Sequence, residues 1–129
     1  YMFNNLTPVS QGSLGLSYAI AYLSKLGYTV SIPLVDNQNY DLVCEIDNEL
    51  KKVQVKSTRY KQNGNYVIQL KAVRANRTGN TIRHFNSSEV DYLIAVTEEG
   101  DLYFIPTSVI EAKNSLSLGN KYLTYKDKL

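Results

Sequence analysis

A chain of 129 residues, 43% of them apolar, has enough hydrophobic mass for one core, so a single ordered domain spanning 1–129 is expected and disorder is not. No run nears the roughly 20 apolar residues of a membrane span, and the first residues lack a basic-then-apolar export pattern; an intracellular, cytoplasmic protein with no membrane partner is expected. Cys44 is the single cysteine, which excludes an internal disulfide, and its neighbours Leu42, Val43 and Ile46 mark it as a small buried hydrophobe. The net charge of +2 decides nothing about a partner, but its distribution is asymmetric. Nine cations fall between Lys51 and Arg83 with no Asp or Glu among them, whereas acids gather at 36–49 and 89–101.

In chain order, Leu16, Ile20, Leu23 and Leu26 recur at three and four residues and predict a first helix, with Ser10 or Ser13 as candidate caps and Gly27 as its end. Residues 28–34 alternate and are β-branched, which predicts a strand ended by Pro33. Residues 40–47 and 50–57 predict an antiparallel hairpin turning at Asp47-Asn48. Asn63-Gly64-Asn65 marks another turn, followed by a strand over 66–70. The stretch 74–88 lacks a sustained period and reads as an exposed loop. Tyr92 to Val96 is a near-continuous apolar run, as in a strand covered on both faces, and Glu99-Gly100 turns it into an antiparallel partner over 102–106. Ser108 is a candidate cap for a short helix over 109–113. The end from Leu116 to Leu129 fits either a docking strand or a frayed terminus. The sum is an α/β domain built around one sheet.

Asp41 and Gln54 lie thirteen positions apart, enough for one strand to leave a site and the next to return to it. Alternation then puts Gln54 and Lys56 on one face while Val53 and Val55 take the other. A carboxylate, an amide oxygen and the backbone carbonyl of Val55 are hard oxygen donors suited to Mg²⁺, with Mn²⁺ or Ca²⁺ as substitutes. An ammonium such as Lys56 orients water or offsets charge on a phosphorus centre. The plain alternative is a solvated surface hairpin. In the segment 74–83, Arg74, Asn76, Arg77 and Arg83 are residue types that donate to phosphates and to base edges. Lys71, Arg59 and Lys61 extend the same basic region. His84, beside Phe85, reads as packed or surface, and the eleven tyrosines as half-buried fillers.

Several strings share one pattern. Gly12-Ser13-Leu14-Gly15 on the first helix, Gly27-Tyr28-Thr29-Val30, Pro33-Leu34 with Asp36-Asn37, Tyr40-Asp41-Leu42 and Gln54-Val55-Lys56-Ser57-Thr58 together resemble the PD-(D/E)XK nuclease superfamily. Within it the chain is most similar to the group carrying Gln-Val-Lys for Glu-Val-Lys, which includes intron-encoded homing endonucleases. The resemblance continues through Asp91-Tyr92-Leu93 and Asp101 to Pro106. It implies a single-domain restriction-endonuclease-like fold, a mixed central sheet flanked by helices, with a core over about 10–112 and 113–129 as tail or interface segment. It also implies Mg²⁺-dependent, site-specific cleavage of double-stranded DNA, with Asp41, Gln54 and Lys56 at the site. Such members carry a Glu on the first helix, where this chain has Leu16. Three accounts of Leu16 stand: an introduced inactivating substitution, a naturally degenerate nuclease, or an active one using Asp41 with another acid. A non-catalytic DNA-binding protein on the same fold, or a DNA-junction nuclease, are the competing functions. A single small module covers only roughly 600 to 1,000 Å² of DNA, so a homodimer or homotetramer is expected.

Overall fold

The computed structural model describes residues 1–76 and 79–129; within 72–76 and 80–83 the description is of the backbone. The first helix, α1, runs Pro8–Lys25. It starts earlier than its apolar period suggests, because Thr7 caps it: the Thr7 hydroxyl accepts from the Ser10 amide at 3.2 Å and Pro8 follows. Its end is the glycine expected. Gly27 has φ +85°, the Gly27 amide bonds the Ser24 carbonyl and the Tyr28 amide reaches the Leu23 carbonyl, which closes the last turn as a Schellman motif. The buried line is Gly15, Ala19, Tyr22 and Leu23, one position out of register with the predicted stripe, and Leu26 is exposed.

Six strands form the main sheet in the order β1-β2-β3-β8-β9-β11. These are β1 (Thr29–Ser31), β2 (Leu42–Ile46), β3 (Glu49–Thr58), β8 (Tyr92–Thr97), β9 (Asp101–Pro106) and β11 (Lys126–Lys128). β3 and β8 pair in parallel and the other neighbours antiparallel, so the sheet is mixed. The β2–β3 turn sits at Asp47 (φ 52°) and Asn48 (φ 67°), the double positive φ of a tight hairpin. A smaller sheet, β10-β5-β4, comprises β4 (Lys61–Gln62), β5 (Asn65–Gln69) and β10 (Ser115–Leu118). Alternation along β8 divides the core. Ile94 and Val96 join Phe3, Ala19, Leu23, Leu42, Cys44 and Val53 beneath α1, whereas Leu93 and Ala95 join Ile68, Leu70, Ile105 and Leu116 beneath the small sheet. Burial raises the pKa of the Cys44 thiol, in keeping with a packing role.

Two expectations change and one open choice is decided. The segment read as an exposed loop contains an antiparallel pair, β6 (Ala72–Asn76) with β7 (Gly79–Arg83), in the register Ala72↔Arg83 to Asn76↔Gly79. That ribbon pairs with no third strand among the described residues, and no period-two pattern marks it in the sequence. The predicted helix over 109–113 is a 3-10 turn, Thr107–Val109, preceded by Pro106 and without a side-chain cap. The chain stays extended at Ile110, which lets that side chain enter the core. The end of the chain is a docked element: β10 pairs with β5 and β11 with β9, and the Tyr22 hydroxyl donates to Asp127 Oδ2 at 2.8 Å. No helix among the described residues is long and apolar enough to cross a membrane.

Candidate active site

The pairing of β2 with β3 sets Leu42 opposite Val53 on the α1 face, so Asp41, Gln54 and Lys56 belong to the other face. There they share a cleft of about 200 Å³ with Gln38, Asn39, Leu70, His84, Phe85, Asn86, Glu89 and Val90. Its floor is the sheet and its walls are the 38–41 segment, the root of the β6–β7 ribbon and the turn before β8. Asp41 is anchored at both ends. Its amide donates to the Val53 carbonyl at 2.9 Å, and its Oδ2 accepts the Val55 amide at 2.7 Å. The carboxylate therefore has a set direction, while a carboxylate's further lone pairs remain for a ligand.

The electrostatics of Asp41 suit a cation. Desolvation raises its pKa above the usual carboxylate value, and the Val55 amide and the Lys56 ammonium only partly offset this, with Asp36 adding to the rise. The residue meets solvent along one side, but its carboxyl end lies against protein in the cleft. A charge held where water solvates it poorly gains from a bound cation. Among the described residues no three His, Cys, Asp or Glu side chains form a metal cage. The oxygens that could hold a cation in the cleft are those of the Asp41 carboxylate and the Gln54 side chain. Such a set fits Mg²⁺, which keeps several waters and is held by one or two carboxylates plus substrate phosphate.

The structure brings together some of the predicted residues and separates others. Asp41, Gln54 and Lys56 line one cleft. Leu16 does not: it is half-buried on α1, against the apolar cluster on the opposite face of the sheet. The α1 side chain that does reach β3 is Gln11, whose Nε2 donates to Ser57 Oγ at 3.2 Å, and Gly15 allows the close approach, since a Cβ there would lie 3.0 Å from Ser57 Cβ. Arg59 directs its guanidinium to the carbonyls of Phe3 and Leu6, tying down the first turn of the chain. Lys61 lies over the Tyr66 ring at 4.7 Å and 3.9 Å from Glu99, in a separate groove with Asp101 and Lys126. Lys71 is exposed at the root of β6. Arg74 and Asn76 stand on β6 and Arg83 on β7, while Arg77 lies outside the described residues.

A family model described as PD-(D/E)XK endonuclease matches residues 8–121. The chain belongs to the PD-(D/E)XK endonuclease family. Among solved structures this endonuclease is similar to a bacterial homing endonuclease, I-Ssp6803I, with a TM-score of 0.81 and 28% sequence identity over 93% of this chain and 88% of that one. Comparison with curated proteins finds no match. The endonuclease thus has the mixed α/β, restriction-endonuclease-like fold that its motifs implied.

Sequence reasoning missed part of the cleft of this endonuclease. Glu89 and Asn86 come from the turn before β8, and Gln38 and Asn39 from the segment before β2. His84, read as packed or surface, lines the cleft, with Nδ1 2.6 Å from Asn114 Oδ1. The Asn114 carbonyl also accepts the Leu70 and Lys71 amides, so one residue holds both roots of the ribbon. Asn86-Ser87-Ser88-Glu89 did carry a signal, a capping-type polar turn ahead of an apolar strand, but nothing in its spacing linked it to Asp41.

Proposed function

We propose that this endonuclease hydrolyses double-stranded DNA site-specifically, in the manner of a homing endonuclease, with a divalent cation at Asp41. The observation that carries the reading is the convergence of Asp41, Gln54 and Lys56 from two adjacent strands on one open cleft. Asp41, Gln54 and the Val55 carbonyl are the residues for Mg²⁺, which when bound polarises a phosphoryl oxygen and lowers the pKa of its water. Asp41 holds its own place through the Val55 amide. Lys56 sits two residues beyond Gln54 on the same face, where its ammonium meets the scissile phosphate and steadies charge as the phosphorus gains an oxygen. Leu70 and Phe85 contribute apolar surface to the wall.

The β6–β7 ribbon borders this cleft, and a two-stranded ribbon fits a major groove. Arg74, Asn76 and Arg83 are assigned to DNA contacts on that basis, with Lys71 at the root on phosphate, and Arg77, outside the described residues, is assigned with them from its place in the sequence alone. Arg59 and Lys61 retain a contribution to the positive field, although both have protein partners. Two copies of the chain supply two clefts for the two strands, and an assembly of two pairs supplies four.

The experiment is cleavage of plasmid libraries carrying candidate sites, in Mg²⁺ and in EDTA, by the wild type, Asp41→Asn and Leu16→Glu. Discrete cleavage by the wild type that depends on the ion and on Asp41 is the expected result. Cleavage by Leu16→Glu alone would assign the missing chemistry to position 16. DNA retention without cleavage by any form would replace the enzyme with a DNA-binding protein, and cleavage confined to branched DNA would make it a junction nuclease.

A further inference from the structure

We propose that Lys71, His84 and Lys113 form a contact surface at the rim of the cleft, built around Asn114, which grips the phosphate backbone of duplex DNA whatever its sequence; this rests on the DNA-cleaving reading above. Three separate segments meet there. Residues 113–114 lie between the two roots of the β6–β7 ribbon and bond to both. On one side the Asn114 carbonyl accepts the Leu70 amide at 2.8 Å and the Lys71 amide at 3.1 Å. On the other, the Lys113 carbonyl accepts the Phe85 amide at 3.0 Å, and Asn114 Oδ1 lies 2.6 Å from His84 Nδ1. Lys71, His84 and Lys113 are all exposed, and His84 also lines the cleft that holds Asp41, Gln54 and Lys56.

The charges at this rim are not neutralised from within. Lys51, Lys61, Lys126 and Lys128 have carboxylate partners at 2.8 to 3.9 Å, whereas Lys71 and Lys113 make no ion pair among the described residues. Glu111, two residues before Lys113, is exposed and makes none either. Cations gathered on one short stretch of surface repel one another, and a polyanion lying across them relieves that repulsion. An ammonium is a point charge on a flexible stem, suited to phosphate and not to base edges. The His84 ring is set by its neighbour. Asn114 Oδ1 has no proton to give, so Nδ1 donates to it and Nε2 is the ring atom left for a ligand. A phosphate oxygen only accepts, so a contact through Nε2 uses the imidazolium, in which both nitrogens donate. Phosphate charge favours that form; Lys71 and Lys113 oppose it, and the other charged groups of the cleft are Asp41, Lys56 and Glu89. A duplex that takes the ribbon in its groove and sends one phosphate into the cleft runs its backbone over the ground between, which is this rim.

The test is binding of labelled duplexes of unrelated sequence to the full chain in EDTA, by fluorescence anisotropy across a salt series and at about pH 6 and about pH 8, the span over which imidazoles exchange protons. Lys71→Ala and Lys113→Ala are each expected to weaken every duplex alike and to lower the slope of log affinity against log salt by about one. Lys113→Arg keeps the charge and is expected to bind as the wild type, which separates a lost charge from a lost fold. Lys25→Ala, at the end of α1 on the opposite face of the sheet, is expected to leave the slope unchanged. The wild type is expected to bind more tightly at the lower pH by a margin that His84→Gln loses. A slope unchanged in Lys113→Ala, or lowered equally by Lys25→Ala, overturns the contact surface and leaves the proposed function standing. The same pH response in His84→Gln as in the wild type overturns the role of His84. A wild type that holds no duplex at any salt overturns both the surface and the function.

Discussion

The hydroxyl of Thr107 holds together the part of the fold on which the cleft wall depends, and Thr107→Val removes it at nearly constant volume. Thr107 is 3% exposed, and its Oγ1 lies within reach of three carbonyls, those of Val90, Asp91 (3.1 Å) and Ser87 (3.3 Å). The Asp91 carbonyl has the Thr107 amide at 3.0 Å as well, so the group left without its partner is the Val90 carbonyl, next to a buried side chain. Leaving one buried acceptor unmade costs about 1–3 kcal/mol. For a domain of this length each kcal/mol lowers the melting temperature by roughly 4 °C, so the variant is expected to melt about 4–12 °C below the wild type in EDTA. Thr107→Ser, which keeps the hydroxyl and loses a methyl, is expected to fall by less. Scanning calorimetry measures both. A Thr107→Val midpoint within about 1 °C of the wild type, on the same scale, would refute the idea that this hydroxyl fixes the turn carrying Glu89.

Three further outcomes follow from the site and its supports. Because desolvation raises the Asp41 pKa, the folded state disfavours its charged form, and the stability it contributes when protonated is lost as pH rises through the folded value; Asp41→Asn is therefore expected to melt higher than the wild type at pH 7 in EDTA, with the gap closing in acid, as a thermal series across pH would record. Lys56→Ala is expected to cut turnover by at least about a hundred-fold, the scale of losing one charge-stabilising donor, while shifting the melting temperature little, and a large stability loss would make Lys56 structural. The Tyr22 phenol is pushed up to about 12, first by burial and then by its bond to Asp127. A raised phenol favours the fold below the unfolded value near 10 and withdraws that support as pH climbs toward 12, so Tyr22→Phe is expected to lose less stability than the wild type between those pH values in urea titrations.

What the sequence determined by itself was local. Gly27 and the Asp47-Asn48 pair are backbone signals that act within a few residues, and the apolar run of β8 states that both its faces are covered, so α1, the β2–β3 hairpin and β8 with β9 were legible without tertiary context. The convergence of Asp41, Gln54 and Lys56 on one face followed from the hairpin and the period of a strand, and those three residues do meet in one cleft. Tertiary structure decided the rest. The buried stripe on α1 lies one position from the predicted one, with Gly15 in tight contact with Ser57, and Leu16 stays with α1 on the face of the sheet away from the cleft. Glu89, forty-eight positions from Asp41, enters the cleft only because β3 and β8 pair in parallel and Asp91 clamps the intervening turn to Lys52. A parallel pairing joins residues through a long crossover whose closure leaves no mark on local periodicity, which is why the far wall of the cleft had to be seen folded before its chemistry could be read.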